Sequence, residues 1–486
     1  MRTILTDALW AIDLIMIVYL LGNNLAIGMI AFVGWRATED YVRRRSLRDY
    51  DALSRSPLAL PISIIAPAFN EELSIVDSVR ALLACRYAEF EVLVVDDGST
   101  DATMAELEQA FDLVAVERVP RARMETQAIH GIYTCPWDTR LTVLRKENGG
   151  KSDALNAGIA YAQYPLFCAI DADTVLDPRA LARLAWEFQA HPDSVAAGGI
   201  VRVINGSTVS GGQLVDVETP SALLLNIQIL EYLRAFLLGR IAWSRLGMLM
   251  IISGAFGLFR REAVVEAGGY DTNSIGEDAE LVLRLYRSRL EHNLPCRIAF
   301  FPDPICWTEA PSTWSSLVRQ RDRWQRGLAQ MLFQHRRLIF NPRYGRIGLF
   351  AVPYFVFFEL LGPTIEVLGY GAFTASIILG IAPLSYTLVF LAFAVLFGLL
   401  FSFSALLVEE RSYQRYPGWR DLRRLVVSAI AENVGYRQLL AVVRTRSWWT
   451  LVRKAGWGSM ERRGFGPPPT LPPPVPPPAL PQAESP

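Results

Sequence analysis

The strongest constraint on this chain is the run of residues 8–35, apolar almost throughout and interrupted only by Asp13, Asn23 and Asn24. It exceeds the roughly 20 residues that cross a bilayer as a helix. The three polar side chains fit contacts with other helices better than contacts with lipid. A cleaved signal peptide is disfavoured, because Arg2 is the only basic residue ahead of the run and the main charge lies behind it. Arg36, Arg43, Arg44, Arg45 and Arg48 follow at once. By the positive-inside rule the N-terminus is then outside and the next domain cytosolic.

A second apolar region covers residues 347–408, between Arg346 and the Glu409-Glu410-Arg411 cluster. It suits two spans with an outer turn near residues 380–385, the first kinked at Pro353 and Pro363. A three-span division would invert the tail. Residues 222–250 are Leu-rich but carry Glu231, Arg234, Arg240 and Arg245 at helical spacing, as a helix lying on the membrane surface would. Residues 425–443 contain Glu432, Asn433 and Arg437 and are too polar for an isolated span. From Gly466 onward proline runs read as an extended, disordered tail, a spacer in preference to a docking motif. The expected layout is a helix and basic linker in 1–57, a cytosolic domain in 58–335, and spans in 336–410. Interfacial helices in 411–465 and the tail in 466–486 complete it.

Composition agrees: 51% of residues are hydrophobic and mean hydropathy is +0.23. Lys+Arg and Asp+Glu balance at 48 each without a basic stripe, which argues against a nucleic-acid partner. Five cysteines without CxxC spacing suggest neither a zinc site nor a disulfide scaffold. The four histidines show no metal-ligand spacing.

Between the apolar regions, short β-rich runs alternate with helical stretches, which predicts an α/β domain with a largely parallel sheet. Strands are expected at 62–66, 92–95, 141–144 and 166–170. Asn70 is expected to cap a helix beginning with Glu71 and Glu72. The second strand runs into Asp96-Asp97-Gly98-Ser99 and the fourth into Asp171-Ala172-Asp173. In open α/β sheets ligands bind beyond the carboxyl ends of strands, where both acidic clusters fall. Asp171 and Asp173 suit one hard cation, Mg²⁺ or Mn²⁺, against a solvated turn as the plain alternative. A calcium loop fails at Val175 and Leu176. An ATP-binding loop ending at Gly149-Gly150-Lys151-Ser152 fails because Arg145 stands where its first glycine belongs, leaving Lys151 as a phosphate or carboxylate partner. The small-residue stretch Ser253-Gly254-Ala255-Phe256-Gly257 allows close backbone approach. Gly276-Glu277-Asp278 opens a helix, making Asp278 either a general base or an N-cap. Gln320, Arg323 and Trp324 share a helical face suited to sugar stacking and anionic phosphate, or to the membrane surface.

Taken in order, Pro67-Ala68-Phe69-Asn70-Glu71-Glu72, Asp96-Asp97-Gly98-Ser99, Asp171-Ala172-Asp173, Gly276-Glu277-Asp278 and Gln320-Arg321-Asp322-Arg323-Trp324 resemble the inverting, membrane-bound family 2 glycosyltransferases. The likeness is to synthases of cellulose, hyaluronan and poly-N-acetylglucosamine, and it implies a GT-A fold, Rossmann-like and nucleotide-sugar-binding. It implies that Asp97, with Asp96, contacts uridine, with Lys151 near the diphosphate. Asp171 and Asp173 would hold Mg²⁺ or Mn²⁺, and Asp278 would deprotonate the acceptor. Gln320, Arg323 and Trp324 would bind the acceptor sugar and the leaving diphosphate. Trp457, with Arg462 and Arg463, resembles the family's gating loop, although no span follows it. Gly276 stands where many relatives have Thr. The partners implied are a UDP-sugar (UDP-GlcNAc or UDP-glucose), a polysaccharide acceptor, membrane lipid and envelope export partners. A glycolipid synthase using a lipid acceptor is the alternative.

Overall fold

The computed structural model describes residues 2–45, 47–171, 174–210, 213–381, 384–413, 416 and 418–451; Asp173, Trp457, Arg462, Arg463 and the proline-rich tail lie outside them. The strands are β1 (Ile62–Ala68), β2 (Phe90–Asp96), β3 (Val114–Ala115), β4 (Ile129–Thr134), β5 (Leu141–Lys146), β6 (Leu166–Ile170), β7 (Val175–Leu176), β8 (Ser194–Val203), β9 (Thr208–Ser210), β10 (Gln213–Asp216), β11 (Phe256–Arg260) and β12 (Arg297–Thr308). Ten of them form one sheet in the order β3-β4-β5-β2-β1-β6-β11-β8-β12-β7, and β9 and β10 form a separate hairpin.

Strands β5, β2, β1 and β6 are mutually parallel. Each of β1, β2 and β6 is buried along its whole length. That is the signature of strands covered on both faces, and it explains why they read as continuous apolar runs. Beyond these strands β8 and β12 also pair parallel, but the expected largely parallel sheet is interrupted. Strand β11 inserts antiparallel to both β6 and β8, and β4 runs antiparallel to β5. The sheet is therefore mixed.

The expected cap at Asn70 is also absent. Asn70 has φ 56°, and the helix begins later, at Ile75 after Ser74. The intervening loop is instead laid on the loop after β2. Asn70 Oδ1 accepts from Thr100 N (2.8 Å), Glu71 N donates to Thr103 Oγ1 (2.8 Å), and Glu72 Oε2 accepts from Ala102 N (3.0 Å). Two sequence motifs are thereby fixed to one another.

Below the domain stand long apolar helices. The first runs Arg2–Arg45; the segment from Ile347 is interrupted at Leu361 and continues as Gly362–Ile378; the last is Leu384–Ser412. Among the described residues, Leu14–Arg45 and Ile347–Ile378 are long and apolar enough to cross a membrane. Residues 222–250 do not lie on a surface. They form Leu223–Tyr232, a π-helical segment Leu233–Arg240, and Ile241–Arg245, and Leu225, Ile229, Leu230, Leu233, Phe236, Leu237 and Ile241 join the main core. This segment separates the sheet from the apolar helices, so it is apolar on more than one side. Its backbone meets the N-terminal helix at Gly34, where a Cβ would collide with Leu238 O. Such close helix approach needs a residue without a side chain. A buried ion pair, Arg202–Glu409 at 2.6 Å, ties β8 to the last apolar helix.

Candidate active site

The four parallel strands deliver their carboxyl ends to one edge of the sheet, where Asp96, Asp97, Lys146 and Asp171 emerge. Asp97 is fully buried. Its Oδ1 accepts from Lys146 Nζ (2.5 Å) and Gly149 N (3.1 Å), and its Oδ2 accepts from Gly150 N (2.7 Å). Lys146 Nζ also lies 2.7 Å from Asp153 Oδ1. Asp96, nearly as buried, accepts from Ser99 N at 3.1 Å. These carboxylates hold the loop Glu147-Asn148-Gly149-Gly150, and neither aspartate lines the cavity described below. Lys146 was missed at the sequence level. Its parity with Thr142 and Leu144, on the buried side of β5, was the available signal.

Gly150, at φ 88°, turns the chain into the helix Lys151–Tyr161. Lys151 Nζ lies 2.5 Å from Asp171 Oδ1 and 3.4 Å from Glu277 Oε1, and donates to Gly254 O at 3.3 Å. Burial works against its charge, yet the carboxylates of Asp171, Glu277 and Asp278 hold its pKa above the usual lysine value. Burial of Glu277 raises its carboxyl above the ordinary range, with Lys151 opposing and Asp278 adding to the rise.

Asp278 lies in the first turn of Glu277–Glu291, whose N-cap is Gly276. Its Oδ2 accepts from Gly254 N (2.9 Å) and its Oδ1 from Ala279 N (2.8 Å). Close approach at Gly254 is real: a Cβ there would stand 3.1 Å from Lys151 Nζ and 3.4 Å from Asp278 Oδ2. Gly276, the position that departs from the family's Thr, backs onto Gly327. A Cβ on Gly327 would lie 3.1 Å from Gly276 N.

Gln320, Arg323 and Trp324 lie on Trp314–Gln334, and all three line the same cavity as Lys151, Asp171 and Asp278. Gln320 Oε1 is buried without a hydrogen-bond partner among the described residues. Trp324 is 43% exposed, and Arg321 is stacked over its ring at 4.5 Å from the centroid. Arg321 is itself held by Glu231 Oε2 (2.6 Å), which also accepts from Tyr436 OH (2.9 Å). Arg321 and Glu231 therefore orient the indole, a role that helical-face counting assigned to neither.

The cavity has a volume of about 1840 Å³. It extends from Lys151, Asp171 and Asp278 past Trp324 and Arg240 to Asn23, Asn24, Glu366 and Tyr370 on the apolar helices. Polar side chains thus line its far end, within segments otherwise apolar. Among the described residues no three His, Cys, Asp or Glu side chains converge as a metal cage.

Residues 63–266 match the model of glycosyl transferase family 2, and residues 166–406 that of glycosyl transferase family group 2. The chain is a family 2 glycosyltransferase. Poly-beta-1,6-N-acetyl-D-glucosamine synthase of Staphylococcus aureus (strain COL) is 30% identical over 278 residues, 56% of each chain. A probable glycosyltransferase of Bacillus subtilis (strain 168), YdaM, is 28% identical over 313 residues, 61% of this chain and 63% of that one. The glycosyltransferase thus spans somewhat over half the length of these curated relatives. Its fold is shared with a mannosyltransferase from Pyrobaculum calidifontis solved with GDP-Man and Mn²⁺. The TM-score is 0.53 at 20% identity, covering 88% of this chain and 99% of that one.

Proposed function

We propose that this glycosyltransferase moves a sugar, with inversion, from a UDP-sugar to a growing polysaccharide, and that the polymer leaves through the apolar helices. One observation carries the reading: a single cavity joins the Lys151–Asp171–Asp278 cluster to polar side chains of those helices. The likeness to poly-beta-1,6-N-acetyl-D-glucosamine synthase favours UDP-GlcNAc over UDP-glucose. In this reading the chain is an integral membrane protein with its N-terminus outside and its catalytic domain cytosolic, Arg43, Arg44 and Arg45 ending the first span on the inner side.

Asp278 takes the proton of the acceptor hydroxyl, which attacks the anomeric carbon as the bond to the UDP oxygen breaks. Gly254 N, donating to Asp278, fixes the carboxylate's orientation. Arg323 and Lys151 neutralise charge on the departing diphosphate, and Trp324 stacks against the acceptor ring. Asp97 acts behind this surface, shaping the loop whose Gly149 and Gly150 face the donor.

A divalent cation fits the site. Asp171 offers a carboxylate into the cavity at the end of β6, where the Lys151 ammonium already satisfies it as a positive charge. Mg²⁺-type sites commonly use one or two carboxylates plus substrate phosphates, so the lack of a three-ligand cage among the described residues is compatible. Asp171, with Asp173, would hold the ion, which supplies charge neutralisation at the diphosphate.

The test is labelled-sugar transfer by the protein in lipid, with Mg²⁺ or Mn²⁺, across a panel of UDP-sugars. High-molecular-weight product from one donor is expected. A short, lipid-extractable product would replace this reading with a glycolipid synthase, and no turnover with any donor would overturn it.

A further inference from the structure

Seven cationic side chains line the cavity: Lys151, Arg234, Arg240, Arg321, Arg323, Arg437 and Arg444. Five have carboxylate partners. Lys151 pairs with Asp171, Arg321 with Glu231, Arg444 with Glu359, and both Arg234 and Arg437 with Glu432. Among the described residues Arg240 and Arg323 have none. Arg323 already has a role at the diphosphate in the reading above; Arg240 has no role in it.

Arg240 ends the π-helical segment Leu233–Arg240, between the sheet and the apolar helices. Its guanidinium is stacked 4.1 Å over the ring of Phe236 and lies 5.9 Å from that of Phe300. Stacking fixes the plane while leaving the in-plane N–H groups to point elsewhere. Nη1 is buried and has no hydrogen-bond partner among the described residues. Burial lowers its pKa to about 10, with Asp278 and Tyr232 opposing the fall, so the group is still charged at neutral pH. A charged donor buried without a partner is unfavourable, and native structures rarely keep one unless something else satisfies it. Arg240 feels the charge of Asp278, the proposed base, and lines the same cavity, while Lys151 and Asp171 are already paired with each other.

We infer that Arg240 binds the acceptor: its guanidinium donates hydrogen bonds to hydroxyl and acyl oxygens of the glycan presented to Asp278. Phe236 is the rigid support that presents those donors. This rests on the transferase reading of the cavity and adds to it a residue outside the motif set.

The experiment compares wild type, Arg240→Ala and Arg240→Lys in lipid nanodiscs, using UDP-GlcNAc as donor, a β-1,6-linked N-acetylglucosamine oligosaccharide as acceptor, and UDP alone as binding probe. The acceptor KM is expected to rise about tenfold or more in Arg240→Ala, the scale of losing a hydrogen bond from a charged donor. UDP affinity stays within about twofold, the range left when no charged contact is lost. Arg240→Lys, which keeps the charge but not the fork, falls between, and serves alone if the alanine variant does not fold. A loss of UDP affinity with acceptor KM unchanged would overturn the inference in favour of a diphosphate contact, as would no change in either quantity. Wild type that transfers to no acceptor would sink the underlying reading and this inference with it.

Discussion

Replacing Lys146 with methionine tests whether the floor of the site is held by one buried charge. Lys146, Asp97 and Asp153 have side-chain exposures of 0%, 0% and 7%, and Lys146 Nζ lies 2.5 and 2.7 Å from the two carboxylates. The ammonium also donates to Glu147 O at 2.6 Å. Lys146→Met keeps the length of the chain but leaves two buried carboxylates without a counter-charge. Removing one partner of a buried pair costs about 3–5 kcal/mol. For a domain of this size that lowers the melting temperature by roughly 6–20 °C. Thermal unfolding of the purified protein in detergent, followed by tryptophan fluorescence, measures it. UDP binding should weaken in parallel, because Asp97 holds Gly149 and Gly150. Adding Asp97→Asn and Asp153→Asn removes the orphaned charges and should recover part of the loss. A single variant that melts within about 2 °C of wild type, less than the shift expected for 1 kcal/mol, would refute the reasoning.

Two further outcomes follow from the same geometry. Gly327→Ala places a Cβ 3.1 Å from Gly276 N and 3.2 Å from Gly276 Cα. Both are backbone atoms, so the change should destabilise by about 1–3 kcal/mol in thermal unfolding and displace the helix start that carries Asp278. Arg321→Ala removes the stacking on Trp324 and the ion pair to Glu231. Acceptor KM should rise about tenfold or more, the scale of a lost charged hydrogen bond, with UDP affinity retained.

Much of the first half of the sheet was legible in the sequence, because strands buried on both faces spell continuous apolar runs bounded by turns. Residues 62–66, 92–95, 141–144 and 166–170 fall within β1, β2, β5 and β6. The insertion of β11 was not legible. Five residues, Phe-Gly-Leu-Phe-Arg, say nothing of which strands will flank them, and pairing is decided by tertiary context. Likewise an aspartate after a strand reads the same whether it faces a ligand or a lysine from the next strand, so the burial of Asp97 against Lys146 needed coordinates. Residues 222–250 misled because Glu231 and Arg234 look like a solvated stripe. In the fold they meet Arg321, Tyr436 and Glu432 across the cavity wall. Lys151, Asp171, Asp278, Gln320, Arg323 and Trp324 were all singled out from sequence, and the structure brings them to one cavity.

The most direct measurement is single-turnover transfer from UDP-GlcNAc by wild type and Asp278→Asn, alongside UDP affinity for both. The proposed base predicts that the variant loses about 10²–10⁴-fold in the transfer rate while binding UDP as tightly as wild type. Transfer at an undiminished rate by Asp278→Asn would contradict the assignment of the cluster around Asp278 as the place where the sugar is transferred.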